Sequence, residues 1–364
     1  MSLRVQVLSG FGAKAPAAVY VSHAGRRLLL DAGGPMYAGQ PCDWYRDLDV
    51  DAVVLSHDHF DHVGAVANLP LDLPVYCTPV VARALPPGRR WHALPYRGRC
   101  EIAGVEVTTG LAGHSLGGVW IHLGIDGGVF YSGDASLESL LFPFDVPPPA
   151  ATALFDASYG LYDGAQADCR RTLARRLDAP TVLPAPASGR ALEFALWLHR
   201  LGSTRDLTYA LDETCRTWLA ASIGQLATLC RPAARAAMPA VTAECTREPA
   251  EVLVVADEST PDAVDWVARY PDRQVIHTGY RPPGMGDRAP ASGTDGVRWN
   301  VHPRARDLVY LARRLGARRV VPLFGAIEPV TPWQTLLGPR LAAEPALEIP
   351  NHADSSTLRL HAPW

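Results

Sequence analysis

The chain has 364 residues, of which 48% are hydrophobic, and this is enough to bury a large core in two lobes. It contains no apolar run of about eighteen residues and no secretory signal pattern, so the sequence predicts a cytoplasmic protein with no membrane partner. The seven cysteines contain no C-x-x-C pair, which argues against a disulfide framework and against a cysteine zinc site.

The formal net charge is −3, so the chain as a whole does not attract nucleic acid. Lys14 is the only lysine, which suggests coding from a G+C-rich genome more than a binding specialisation. The arginines form local clusters, which we interpret as solvated helix faces and ends. These clusters are Arg89-Arg90 with Arg97 and Arg99, Arg170-Arg171 with Arg175-Arg176, and Arg313-Arg314 with Arg318-Arg319. No RNA-binding module is apparent, so a polynucleotide would bind in the cleft between the lobes.

Strand-like runs separated by glycine and proline turns dominate the first 165 residues. The predicted strands cover residues 1–7, 18–21, 27–30, 50–55, 129–131 and 153–155. Short helices between such strands are typical of an αββα sandwich.

The densest group of polar side chains follows the fourth of these strands. It is Ser56-His57-Asp58-His59-Phe60-Asp61-His62. In an extended stretch His57 and His59 leave the backbone on the same side, so both can bind one metal ion. Where the chain turns into a helix, Asp61 and His62 can bind a second ion, while Asp58 faces away. Two ions about 3.5 to 4 Å apart can share and activate a water molecule.

Helices and strands alternate from about residue 166 to 290, which suggests a cap built on a parallel sheet. The predicted helices are 169–177, 191–201, 214–221 and 260–268, and the predicted strands are 181–183, 207–209, 251–255 and 274–277. A polar loop at 287–296 returns the chain to the first lobe. A helix at 306–315 and closing strands at 346–350 and 357–360 complete it.

The His-x-His-x-Asp-His pattern resembles the metallo-β-lactamase superfamily, and other segments are similar to its motifs in the same order. The resemblance implies that Asp31 supports the metal-binding loop from an early strand. It also implies that His114 is the third histidine of the first ion and that Asp134 bridges both ions.

Three later segments resemble the β-CASP branch, which includes the mRNA 3′-end-processing nuclease, ribonuclease J and crosslink-repair nucleases. Residues 155–160 are similar to its acidic "E/D-x-T-Y-G" motif, residues 182–193 to its Gly-Arg helix start, and residues 275–286 to its "G-Y-x-x-x-G-T-x-G" loop, with Met285 where Thr is usual. The resemblance implies an α/β fold. Residues 1–165 and 291–364 would form the αββα domain, and residues 166–290 an inserted β-CASP cap.

Two departures from the branch concern its last catalytic motifs. His302 matches a catalytic histidine, but Pro303 and Arg304 replace the usual Ala-Asp continuation. Phe324 stands where the final "V-H-G" motif supplies a histidine ligand, and a phenyl ring cannot ligate. Repair nucleases of this branch that act on DNA also lack that histidine. The departure therefore weakens the RNA interpretation without abolishing hydrolysis.

Loss of that histidine leaves the second ion with Asp61, His62 and the bridging Asp134, so we expect it to bind weakly or with partial occupancy. His352 is an alternative ligand, in the segment Asn351-His352-Ala353-Asp354 that imitates the missing "H-A-D" motif. Its position between two closing strands favours a surface turn instead.

The resemblance implies a Zn²⁺-dependent hydrolase with two metal sites, most of all a nuclease that cleaves phosphodiester bonds of RNA or single-stranded DNA. The implied metal ligands are His57, His59, Asp61, His62, His114 and Asp134, and the implied catalytic residues are Asp61, Asp156 and His302. In this mechanism His302, oriented by Asp156, protonates the leaving oxygen.

Two alternatives to a nuclease stay open. One is a metallohydrolase of the same fold that acts on a small phosphodiester or ester, and the other is an impaired paralogue that serves as a binding partner. Whether cleavage is endonucleolytic or exonucleolytic, and whether the chain forms a homodimer, are also left open.

Overall fold

The computed structural model describes residues 2–245, 249–258, 260–262, 264–280 and 297–349. Several predicted features lie outside these residues: the loop at Met285, the polar segment 287–296, the segment with His352 and the closing strand 357–360. No helix in the described part of the chain has the length and apolar character needed to cross a bilayer.

The described elements agree in type and order with most of the predicted ones. The strands are β1 (Leu3–Ser9), β2 (Ala18–His23), β3 (Arg26–Leu30), β4 (Ala52–Val54), β5 (Val75–Cys77), β6 (His92–Ala93), β7 (Gly98–Ile102), β8 (Val105–Leu111), β9 (Val119–Leu123), β10 (Val129–Tyr131), β11 (Thr152–Asp156), β12 (Thr181–Ala185), β13 (Tyr209–Leu211), β14 (Val252–Ala256), β15 (Gln274–Val275), β16 (Arg319–Leu323) and β17 (Ala346–Ile349). The α-helices are α1 (Phe60–Val63), α2 (Gln166–Arg176), α3 (Arg190–Gly202), α4 (Glu213–Leu229), α5 (Pro232–Arg235), α6 (Met238–Glu244), α7 (Trp266–Arg269), α8 (Ala305–Leu315) and α9 (Val330–Leu337).

Two sheets face each other across the main core. The first has the order β17-β1-β2-β3-β4-β5-β6 and the second the order β16-β11-β10-β9-β8-β7. Side chains alternate along a strand, so Leu28 and Leu30 of β3 point inward and pack in one cluster with Ile121 and Leu154 of the second sheet. Leu29 points outward and packs in a separate cluster with α1 and the turn that follows it.

Helices α8 and α9 cover the outer face of the second sheet. Phe130 and Phe155 pack there with Leu308 and Leu311 of α8 and with Trp333 of α9. With α1 on the opposite outer face, the layers are helix, sheet, sheet and helix, which confirms the predicted α/β sandwich.

A third sheet, with the order β13-β14-β12-β15, lies in the predicted cap region, and its pairings are parallel, as the alternation indicated. The bounds of the two domains stay a prediction.

Two predicted helices were wrong in extent. Helix α4 continues to Leu229, because its later apolar residues are also buried. Helix α7 begins only after Asp265, whose carboxylate accepts the main-chain N–H of Ala268 and caps the helix there.

Candidate metal centre

The predicted ligands of the first ion follow the ends of strands from both sheets. His57 and His59 lie in the loop after β4, His114 follows β8, and Asp134 follows β10. One ligand atom from each of these four residues lies within 4.8 Å of the others. The structure therefore brings together the residues that the sequence predicted for the first ion.

Hydrogen bonds at the far side of the rings decide which nitrogen faces this centre. The Nδ1–H of His114 donates to the carbonyl oxygen of Val301 at 2.6 Å, since a carbonyl oxygen can only accept. The Nε2 of the neutral ring then offers a lone pair, and it lies 3.0 Å from the Nδ1 of His59. Similarly, the Nδ1 of His57 lies 3.0 Å from the hydroxyl of Ser56, which donates its own proton to a carboxylate. The Nε2 of His57 is therefore the nitrogen with a free lone pair.

Burial keeps these three imidazoles neutral. Desolvation lowers the pKa of His57 and of His59 well below the usual value, and it lowers the pKa of His114 to about 4. The Nε2 atoms of His57 and His59 are buried and have no hydrogen-bond partner among the described residues. Neutral imidazoles that converge beside a carboxylate are a donor set that Zn²⁺ takes, so these residues fit one ion.

Asp31 supports this loop from the end of β3. Its carboxylate accepts hydrogen bonds from the main-chain N–H of Ser56 at 2.6 Å and from the Ser56 hydroxyl at 2.7 Å. It also accepts from the hydroxyl of Tyr131 at 2.6 Å and pairs with the Nδ1 of His62 at 2.7 Å. A carboxylate behind a metal-binding histidine fixes the orientation of the ring. These contacts agree with the role that the family resemblance implied for Asp31.

The Asp31→Asn variant is expected to lower the Tm and to weaken Zn²⁺ binding by about 10- to 100-fold, because an amide cannot accept from all of these donors. Calorimetry and a chelator-competition titration would measure both effects. Asp126→Asn is the control, since Asp126 also adopts a positive φ, 44° against 59° for Asp31, and belongs to none of the described clusters that could hold a metal. Equal affinity of the two variants would contradict the supporting role.

Asp61, His62 and Asp134 form a second group whose ligand atoms lie within 4.8 Å of one another. The Nε2 of His62 lies 3.2 Å from the Oδ1 of Asp134. Burial alone would lower the pKa of His62, but the carboxylates of Asp134, Asp61 and Asp31 outweigh it and raise the pKa to about 10. At neutral pH this imidazole is therefore protonated and ion-paired, unlike the three histidines of the first group.

Sequence reasoning missed one member of this second group, Lys14, in the loop between β1 and β2. Its Nζ lies 2.8 Å from the Oδ2 of Asp61 and 3.7 Å from the Oδ2 of Asp134, and its side chain is 14% exposed. Burial alone would lower the pKa of Lys14, but the carboxylates of Asp134 and Asp61 outweigh it and raise the pKa above its usual value. The available signal was a single lysine in a chain with 34 basic residues.

Phe324 is fully buried beside this group, at the end of β16. Its ring centroid lies 5.2 Å from that of His62 and 5.5 Å from the Nζ of Lys14. The residue has a φ of 62°, and its main-chain N–H donates to the carbonyl oxygen of Gly10 at 2.6 Å. Within the described part of the chain, no further ligand replaces the missing histidine in this group.

His302 and Asp156 lie together on the other side of Asp134. The Nδ1 of His302 lies 2.7 Å from the Oδ2 of Asp156, although the two residues are 146 positions apart. Asp156 is fully buried and also accepts the main-chain N–H groups of Ala135 and Ser158. The side chain of His302 is 11% exposed, and the ring of Tyr159 packs edge-on against it. The imidazole is therefore both oriented and accessible.

The predicted cap region contacts the residues of the centre through the loop that precedes α3. The hydroxyl of Ser188 donates to Asp58 at 2.9 Å, so Asp58 faces the cap and not the first group of ligands. Arg190 lies against Gly279, where a Cβ atom would come within 2.0 Å of the Arg190 Nη1. Arg190 and Gly279 belong to two segments that resemble β-CASP motifs, so these segments meet here. Only a glycine at position 279 leaves room for the guanidinium group. The Nε and Nη1 of Arg190 are buried without a hydrogen-bond partner in the described ranges.

Several of the predicted arginine clusters are occupied by intramolecular contacts. Arg97 forms an ion pair with Asp145, and Arg171 with Asp168. The interpretation of Arg89 as a solvated residue was wrong. Its side chain is buried and donates to three carbonyl oxygens, those of Leu69, Pro70 and Leu73.

Comparisons with known proteins agree with this arrangement. Residues 26–146 match the model of the beta-lactamase superfamily domain. The chain is 28% identical over 254 residues to the transcription termination factor FttA of Methanocaldococcus jannaschii, covering 54% of this chain and 39% of that protein. It is 28% identical over 224 residues to an RNase J-like protein of the same organism, covering 51% and 52%. The matches therefore span about half or less of the length of these relatives.

The fold also matches a solved structure across most of both chains. A protein of unknown function from Enterococcus faecalis V583 is similar with a TM-score of 0.57 and 13% identity, covering 90% of this chain and 95% of that one. The domain match contains the predicted ligands from His57 to Asp134, while the relatives agree with the branch that the later motifs indicated. Residues 26–146 thus match the beta-lactamase superfamily domain, and about half of the chain is similar to relatives that agree with the β-CASP branch.

Proposed function

We propose that this protein is a metal-dependent nuclease that cleaves phosphodiester bonds of RNA or single-stranded DNA. The observation that carries the proposal is the group of three neutral imidazoles and Asp134 beside the pair of His302 and Asp156. The names of the relatives, an RNase J-like protein and a transcription termination factor, favour a polynucleotide over other esters.

His57, His59, His114 and Asp134 would hold a Zn²⁺ ion, which lowers the pKa of a bound water towards neutrality and polarises a phosphoryl oxygen. The remaining steps belong to the side chains around this centre. The Nδ1 of His302 is held by Asp156, which leaves the Nε2 to give a proton to the leaving oxygen. The buried carboxylate also stabilises the charged imidazolium before the transfer.

Arg190 is the residue we propose to bind a phosphate of the substrate. The residue is half-buried, and its Nε and Nη1 atoms are buried and unpaired among the described residues. Burial raises the pKa of Tyr159, the positive charge of Arg190 acts to lower it, and the ring of Tyr159 in turn contacts His302. A guanidinium in this place can donate two parallel hydrogen bonds to phosphate oxygens, which an ammonium cannot.

The Arg190→Lys variant is expected to raise the KM for a polynucleotide by about tenfold, because it keeps the charge and loses the paired hydrogen bonds. Steady-state kinetics on labelled single-stranded RNA and DNA would measure this. Arg200→Lys is the matched control, since Arg200 lies exposed on the same helix, α3. An unchanged KM for Arg190→Lys would exclude a phosphate-binding role.

A small phosphodiester is the second candidate substrate. Two observations favour it: the net charge of −3 and the pairing of exposed arginines, such as Arg97 and Arg171, with carboxylates. Both reduce the electrostatic attraction for a long polyanion.

Incubation of the zinc-loaded protein with labelled RNA, labelled single-stranded DNA and bis-p-nitrophenyl phosphate distinguishes these candidates. A nuclease is expected to cleave at least one polynucleotide, and the His59→Ala variant to cleave none. Cleavage confined to the small ester would reject the nuclease. A zinc-loaded protein that cleaves none of the three would favour an impaired paralogue that acts as a binding partner.

A further inference from the structure

We propose that the ammonium group of Lys14 takes the place of the second metal ion. Each chain then binds one transition-metal ion, at His57, His59, His114 and Asp134. This inference deepens the proposed function. The number of ions per chain can be measured without any substrate, and only the consequence for catalysis rests on the proposed function.

The position of Lys14 is the first argument. Its Nζ lies 2.8 Å from the Oδ2 of Asp61 and 3.7 Å from the Oδ2 of Asp134. These are the two carboxylates that the second ion would share in the predicted two-metal site. A Zn²⁺ ion would have to lie about 2.0 to 2.2 Å from the same oxygens. The ammonium and the ion therefore compete for one volume and for the same negative charge.

The neighbouring side chain is the second argument. Where the resemblance expects a histidine ligand, Phe324 turns its ring towards the Nζ of Lys14, 5.5 Å from the ring centroid. The face of a phenyl ring attracts an ammonium group but cannot ligate a metal ion. Phe324 therefore suits a neighbouring ammonium group and does not suit a second metal ion.

The backbone around Lys14 is the third argument. The carbonyl oxygen of Gly10 accepts the main-chain N–H of Phe324 at 2.6 Å, and the N–H of Ala17 donates to the carbonyl oxygen of Asp61 at 2.7 Å. The loop is therefore tied to both neighbours of the ammonium. Gly10 has a φ of +97°, and a Cβ atom there would come within 2.9 Å of the Phe324 ring, so a larger residue would displace the loop.

The chemistry of lysine fits this position better than that of arginine. The ammonium is a compact charge on a flexible stem, whereas a guanidinium is a wide planar fork. A chain that uses arginine for every other basic residue has its one lysine here. The positive charge of Lys14 pairs with Asp61 and with the Oδ2 of Asp134. It therefore orients the carboxylate of Asp134, which is also a ligand of the first ion.

Metal content after equilibrium dialysis against buffered Zn²⁺, measured by mass spectrometry, tests the inference. We expect one ion per chain for the wild type and for Phe324→His, which keeps Lys14. The double variant Lys14→Ala with Phe324→His is expected to bind two, because it removes the ammonium and restores a ligand. Two ions in the wild type, or only one in a folded double variant, would overturn the inference.

The single variant Lys14→Ala provides a second test if the double variant does not fold. Isothermal titration with Zn²⁺ is expected to show an additional binding event that the wild type lacks. Identical titrations of the two proteins would contradict the inference. A wild type with one ion and no nuclease activity would remove the proposed function alone, whereas a wild type with two ions that cleaves RNA would remove this inference alone.

Discussion

The His59→Ala variant is expected to lose hydrolysis by on the order of 10³-fold or more and to retain much less than one zinc ion per chain. The Nδ1 of His59 lies 3.0 Å from the Nε2 of His114, and burial holds the pKa of both rings below the usual value. Without His59, the centre keeps two imidazoles and one carboxylate. Metal analysis and the rate of bis-p-nitrophenyl phosphate hydrolysis would measure the two effects.

His92→Ala is the control for this loss. His92 is exposed on β6, and its ring stacks on Tyr76 outside the metal groups formed by the described residues. We expect it to retain full metal content and activity. Retention of both by His59→Ala would instead show that the first group is not the metal centre.

The two halves of the centre differ in electrostatics as well as in ligand number. The first half has neutral histidines, because burial there is not opposed by enough negative charge. In the second half, several carboxylates surround His62, and the positive charges of this ring and of Lys14 balance them. A divalent ion entering the second half would have to displace charges that are already paired, whereas the first half offers unpaired lone pairs.

The sandwich could be predicted because its signals are local. The apolar run Leu28, Leu29 and Leu30 indicates a strand buried on both faces, and the structure packs these side chains alternately into two core clusters. Helix ends were harder, as the late start of α7 at Asp265 illustrates. The sequence predicted a helix from residue 260, but the carboxylate of Asp265 accepts the main-chain N–H of Ala268 and caps the helix at that point.

The histidines of the first group could be placed because they lie in loops after strands and within recognisable motifs. Lys14 could not, since nothing near it in the sequence indicates a contact with Asp61, and its charge is paired only once the β1–β2 loop folds over α1. Arg190 was likewise visible as part of a motif but not as a buried donor. Its surroundings depend on Gly279, from a distant part of the chain.

The His302→Gln variant is expected to reduce the kcat for RNA or single-stranded DNA by about 10²- to 10⁴-fold, the usual contribution of a general acid. The same variant should change hydrolysis of bis-p-nitrophenyl phosphate far less, because nitrophenolate leaves without protonation. A merely structural role for His302 would instead lower both rates together. Single-turnover rates on the two substrates would separate these results.

His199→Gln is the matched control for this experiment. His199 pairs with Glu244 through an Nδ1 to carboxylate distance of 2.7 Å, the same distance as between His302 and Asp156, but it lies in the cap region on α3. Its loss should leave both rates unchanged. Asp156→Asn is expected to reproduce the substrate dependence of His302→Gln, since an amide cannot stabilise the imidazolium that donates the proton. Equal losses on both substrates in Asp156→Asn would reduce Asp156 to a role in folding.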